Sequence, residues 1–200
     1  MEGNGTARLE TFSDGVFAIA ATLLVLEFSV GATAGGDLGG ALLHLWPSYL
    51  AYATSFLTIG IIWMNHHQCV ETMARTDRVL LFLNLVLLLT VAFLPFPTKL
   101  VAQYLQQPGE RAAVYAYDAT FVVMAVVYNA WWRYASTGRR LILDSVPDAS
   151  LRAISRAFDP GVPMYAAVFA VAVVSPLASV ALTLAIAVFY LPSAALFSRV

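Results

Sequence analysis

The chain has 200 residues, of which 60% are hydrophobic and 12% charged, about half the charged share (about 25%) of an average soluble domain. A formal net charge of −1 without any basic run offers nothing to nucleic acid, and a single cysteine, Cys69, excludes an intrachain disulfide framework. The composition is that of an all-α integral membrane protein, with room for about six spans of about 20 residues and short loops.

The first span is read from Arg8 to Val30, RLETFSDGVFAIAATLLVLEFSV. A polar entrance of Arg8, Glu10, Ser13 and Asp14 leads into an apolar run from Gly15 to Leu26 that only Thr22 interrupts. Met1 to Ala7 lacks a basic segment, and Glu27 stands where small residues would mark a cleavage site, so this span is expected to be retained. At about 100° per residue, Ile19, Leu23 and Leu26 share one face with Thr22 at its edge, while Asp14 points about 140° away.

The second span is expected from about Trp46 to Trp63, with Trp46 and Tyr49 at the outer interface and Pro47 in the first turn. The third follows the charged Glu71 to Arg78 segment and is predicted to stop at Pro95-Phe96-Pro97. The fourth runs from about Ala112 to Tyr134, closed by Trp131, Trp132 and Arg133 as an interfacial belt. The fifth and sixth share Gly161 to Phe197 and must be tightly joined, with the turn at Ser175-Pro176. Between the fourth and fifth, Leu151, Ile154 and Phe158 fall on one helical face and Arg152 and Arg156 on another. That pattern suits either a short helix along the inner leaflet or a solvated turn.

Arginine and lysine collect on the cytoplasmic side of membrane proteins. With the amino terminus inside, nine basic residues fall in inner segments (Arg8, Arg75, Arg78, Arg133, Arg139, Arg140, Arg152, Arg156, Arg199) and only Lys99 and Arg111 outside. Both termini are therefore expected in the cytoplasm, as an even number of spans requires. No second copy of the opening motif occurs, so residues 1–200 are read as one six-helix transmembrane domain.

Arg8, Phe12, Ser13 and Asp14 spell R-x-x-x-F-S-D, continued by Gly15-Val16-Phe17-Ala18-Ile19. With Trp63, His66-His67, Asn84 and Leu94-Pro95-Phe96, this resembles the transmembrane protein 175 family, the endolysosomal potassium channels of animals and their shorter bacterial relatives. The resemblance covers roughly the first hundred residues; beyond them only the hydrophobic layout agrees. In family members with one six-helix repeat, four subunits surround a central pore lined by the first helix, whose isoleucine or leucine rings form the narrowest point. The resemblance thus implies a homotetrameric potassium channel in the cell membrane, with Ile19, Leu23 and Leu26 as the constriction and Thr22 as a hydroxyl layer favouring potassium. From the residues alone, the same stripe reads first as a packing face, and only the resemblance turns it toward a pore.

Ionisable groups within a span are candidates for function. Asp14 is either a proton or cation ligand or a packing anchor for Ser13, Trp63, His66, His67 or Asn84, and its angle from the Ile19 face favours the anchor. Arg8 suits the cytosolic mouth or a carboxylate partner. Glu27 is a member of a charged ring at the outer pore mouth or a solvated helix end, and Asp118 an interface residue. Adjacent histidines point about 100° apart, unlike the i, i+4 pairs that share a metal, so no metal site is expected. Recognisable catalytic spacings and phosphate-cradling glycine loops are absent, so neither an enzyme nor a cofactor is expected, only potassium as permeant. The competing classes are a secondary transporter, which needs polar groups near the midplane, and a membrane scaffold without transport.

Overall fold

The structure, a computed structural model, describes residues 3–28 and 37–196. The predicted ends of the first and sixth spans, Val30 and Phe197, and the inner Arg199 lie outside these residues. Helix α1 covers Gly3–Leu23 and tightens into a 3-10 turn over Leu24–Glu27. A short helix α2, Leu38–His44, is capped by Asp37, whose carboxylate accepts the Gly40 N–H at 2.9 Å. Helix α3, Trp46–Glu71, follows with Pro47 in its first turn, where the missing N–H has no partner to lose. It passes the predicted end at Trp63 by two turns, since nothing between Trp63 and Glu71 breaks a helix.

Helix α4 covers Arg78–Phe93 and α5 covers Pro95–Tyr104. The prolines were expected to stop the third span; α4 does end just before them, at Phe93, but a second helix restarts at Pro95, so the apolar stretch continues. Leu94 keeps helical angles (φ −56°, ψ −35°) and the first turn of α5 accepts Pro95 and Pro97. The two helices form one 27-residue apolar stretch, Arg78–Tyr104. Gly109, at φ +100°, turns the chain into α6, Glu110–Ser136, close to the predicted fourth span. The amphipathic segment forms α7, Asp148–Phe158, and a break at Asp159-Pro160 separates it from α8, Gly161–Val174. Taken together they make one 27-residue candidate span by length and composition, Asp148–Val174, and α7 by itself is a helix of its own, not a turn. Ser175 is the joint to α9, Pro176–Leu196, where the turn was predicted.

Among the described residues, four stretches are long and apolar enough to cross a membrane: Gly5–Glu27, Arg78–Tyr104, Glu110–Arg139 and Asp148–Val174. The α2–α3 pair, bent by 48°, supplies a fifth, and α9 is a shorter apolar helix over Pro176–Leu191. The protein is therefore an all-helical integral membrane protein.

Helix α6 is the hub, packing against α4, α5, α7, α8 and α9, while α3 packs against α1, α5 and α9. Large side chains fill the space between α3 and α6. Trp131 is fully buried and stacks on His66 at 4.7 Å between ring centroids. Trp132, also buried, donates its indole N–H to Ser155 on α7 at 3.0 Å. The interfacial belt predicted at Trp131 and Trp132 is thus corrected: both rings are buried inside the bundle, Trp131 against α3 and Trp132 under α7. In lipid such packing holds helices through dispersion and interhelical hydrogen bonds, since leaving a hydrocarbon solvent gives little transfer energy.

The α3–α4 and α6–α7 connections are joined as well. Ala74 N–H donates to the Leu141 carbonyl at 2.8 Å and Leu143 N–H to the Thr72 carbonyl at 2.9 Å. Arg139 binds Asp148 at 2.6 Å and the carbonyls of Leu143 and Val146 at 2.8 Å. Arg139 thus braces the α6–α7 connection itself, while Arg75, which reaches the Arg140 carbonyl at 3.4 Å, ties the α3–α4 connection to it.

The outward face of the first helix and the polar contacts behind it

Helix α1 divides sharply along its axis. Leu9, Ser13, Phe17, Ala20 and Leu24 face α3 and α4, and Phe17 and Leu24 are only 2% and 0% exposed. On the opposite side Arg8, Phe12, Gly15, Ile19, Thr22, Leu23 and Leu26 are exposed, Ile19 at 60% and Leu26 at 70%. These residues form one stripe at i, i+4 and i+7 spacing along the helix. Within one chain the stripe has no packing partner among the described residues. Thr22 donates its hydroxyl proton to the Ile19 carbonyl at 2.9 Å, which leaves the oxygen lone pairs free to accept.

Three buried residues on three helices hold the other face in place. His66 on α3 meets the Asn84 side-chain oxygen at 2.8 Å, and Asn84 on α4 donates its amide to Ser13 at 3.0 Å. Ser13 passes its own proton to the Leu9 carbonyl at 2.8 Å. Each proton has one destination if neutral His66 carries its hydrogen on Nε2, the tautomer this network selects. Phe17 packs on the same imidazole, with centroids 5.5 Å apart.

Asp14 accepts the Trp63 indole N–H at 2.9 Å, linking α1 to α3. Ser13, Asp14, Trp63, His66 and Asn84 are thus brought together behind the exposed stripe. His67 points to a second cluster, 2.7 Å from Glu10 and 3.5 Å from Glu71. Arg8 and Phe12 stand apart from both clusters, on the exposed side. No group of three or more potential metal ligands occurs among the described residues. At the C-terminal end of the first helix Glu27 lies 3.1 Å from Lys99 in α5. Its charge is compensated and its side chain largely buried, so it is not a solvated helix end.

Several partners were not legible from the chain. Glu10 was read only as part of a polar entrance, although it lies one turn before Asp14 on the side facing His67. Ser55 on α3 binds Thr98 on α5 at 2.8 Å and Tyr117 on α6 at 2.9 Å. No spacing in the sequence brings those three together. Asp118, expected at an interface, is 1% exposed and is corrected to a buried residue between α6 and the α8–α9 hairpin, in contact with Ser179.

Fold and site together define a class: a helical membrane bundle that anchors one face of its first helix with buried polar contacts and turns the other, apolar face outward. Residues 8–95 match the family described as endosomal/lysosomal potassium channel TMEM175. A potassium channel of Chamaesiphon minutus is 41% identical over 194 residues, 94% of this chain and 95% of that one. A potassium channel of Streptomyces collinus is 49% identical over 138 residues, 68% of this chain and 67% of that one. The crystal structure of a lysosomal potassium-selective channel TMEM175 homologue from Chamaesiphon minutus superposes with a TM-score of 0.85, at 40% identity, over 98% of both chains. The chain belongs to the TMEM175 family.

Proposed function

We propose that this protein is a moderately selective potassium channel of the cell membrane: a homotetramer of six-span subunits, both termini cytoplasmic, with α1 lining the central path. The observation that carries the reading is the exposed stripe of α1. A purely lipid-facing stripe has no use for the Thr22 hydroxyl, or for Arg8 in line with Ile19 at the cytoplasmic end. Four copies around an axis give each of these residues a role. The relatives named as potassium channels support the choice of ion, and a channel family supports a non-enzymatic role without a cofactor.

The mechanism follows from hydration. Rings of Ile19, Leu23 and Leu26 offer no ligand, so an ion must shed part of its water to pass. The loss is smaller for potassium than for sodium, because the larger ion holds water less tightly. Thr22 oxygens, their protons already given to the backbone, supply partial replacement ligands in the same layer. The chain lacks a T-V-G-Y-G segment, so selectivity arises without a cage of carbonyls and is correspondingly moderate. Glu27, neutralised by Lys99, adds little field at the outer mouth.

Purified protein in potassium-loaded vesicles tests the reading. Expected are potassium efflux and unitary current steps, with Ile19→Asn, which wets the constriction, lowering the potassium-to-sodium permeability ratio. Saturating flux without unitary steps would indicate a carrier, and no potassium-dependent flux a scaffold.

A further inference from the structure

Asp118 lies two turns inside α6 from Glu110. The 27 residues of α6 extend about 40 Å against a hydrocarbon core of about 30 Å, so this carboxyl sits within the outer half of the bilayer. It is 1% exposed. Its Oδ2 contacts the Ser179 hydroxyl in the first turns of α9, and the same hydroxyl lies 3.1 Å from the Val168 carbonyl of α8. Oδ1 is buried without a hydrogen-bond partner. No Lys, Arg or His forms an ion pair with it among the described residues. Of the nearby titratable groups, Tyr117 on α6 itself is bound to Ser55 and Tyr165 on α8 stacks on Phe121, while α9 carries Tyr190, eleven residues beyond Ser179.

Counting protons decides the state of this clasp. Ser179 has one hydroxyl proton and two oxygen neighbours. If Asp118 were ionised, one of the two contacts would be oxygen against oxygen with no hydrogen between them, and a bare anionic oxygen would face the packed interior. If Asp118 is a carboxylic acid, its Oδ2–H donates to Ser179, Ser179 donates to Val168, and Oδ1 is a neutral carbonyl, the cheaper group to leave bare. We propose that Asp118 is a proton-binding site in the outer half of the membrane: its proton clasps the α8–α9 hairpin to α6, and ionisation releases the hairpin. The site is separate from the α1 stripe and does not rest on the permeation reading.

Infrared difference spectra of wild type against Asp118→Asn, both in lipid vesicles at neutral pH, test this. The asparagine reproduces the donor and the bare carbonyl, so the fold is retained. Wild type is expected to show the carbonyl stretch of a protonated carboxyl above the amide band, lost in the variant. Ser179→Ala should keep that band and shift it, because the acid loses its acceptor. A second readout is melting of both proteins from pH 5 to pH 9. A proton held by the folded chain and released on unfolding favours the fold at low pH, and that advantage fades as pH rises. Wild type should therefore lose stability relative to Asp118→Asn with increasing pH. An absent carboxyl band in wild type, or melting curves that run parallel across the range, overturns the proposal.

Discussion

Asn84 shows how much one side chain sets. Its oxygen takes the proton of His66 and its amide reaches Ser13, so α3, α4 and α1 meet at one polar group. Interhelical hydrogen bonds in membranes average about 0.6 kcal/mol and reach about 1.7. Removing Asn84 also strands the His66 N–H, whose Nδ1 is already without a partner. Asn84→Ala should cost about 1–3 kcal/mol, read as a lower unfolding temperature of the purified protein, whereas exposed Phe82→Ala should change little. Asp77 makes a different residue-scale prediction. It caps α4 through the Leu80 N–H at 2.8 Å and accepts the Tyr134 hydroxyl at 2.7 Å. Burial pushes its carboxyl up, but those hydrogen bonds, the Val79 amide and the Arg140 charge outweigh burial and hold it below the usual carboxylate range. A lowered carboxyl contributes stability above its unfolded value, near about 3.9, and the contribution is lost as pH falls through the folded value. Asp77→Asn keeps a good cap and should lose stability against wild type at pH 7, the gap closing on acidification. Melting both proteins at several pH values checks this.

Helix α1 is the element on which the proposed function turns, and both of its faces were legible because periodicity is a local property. Angles about the axis placed Ile19, Leu23 and Leu26 together and Asp14 away from them, and the structure has the same division. Partners across helices were not legible. Trp131 looked interfacial from its place near a span end, yet it is buried against His66, a partner on α3 that no local spacing in the sequence points to. The prolines at 95 and 97 marked the end of α4 but not of the apolar stretch, since proline forbids a ladder bond without forbidding a helix that restarts at it. Asp118 was misplaced because its partner Ser179 is 61 residues distant. At this scale Thr22 carries the prediction. Thr22→Val keeps the shape and removes the oxygen, so potassium-over-sodium selectivity should fall severalfold with current preserved, seen as a shifted reversal potential under mixed-ion conditions.

At the scale of the whole molecule, one chain leaves several apolar faces open among the described residues, and two of them stand on long helices of the family-matched half. One is the stripe of α1; the other, on α4, carries Phe82, Leu85, Leu89 and Phe93, all at least half exposed. A subunit in a symmetric assembly uses one such face toward the axis and others toward neighbours or lipid. The central claim is that the α1 stripe borders the ion path. Its most direct test is Ile19→Cys in single-channel recordings, with a charged thiol reagent added to the open channel; the native Cys69 is buried and silent. The predicted result is stepwise, irreversible loss of potassium conductance that wild type does not show. Complete labelling of the introduced thiol with unchanged unitary current would contradict it.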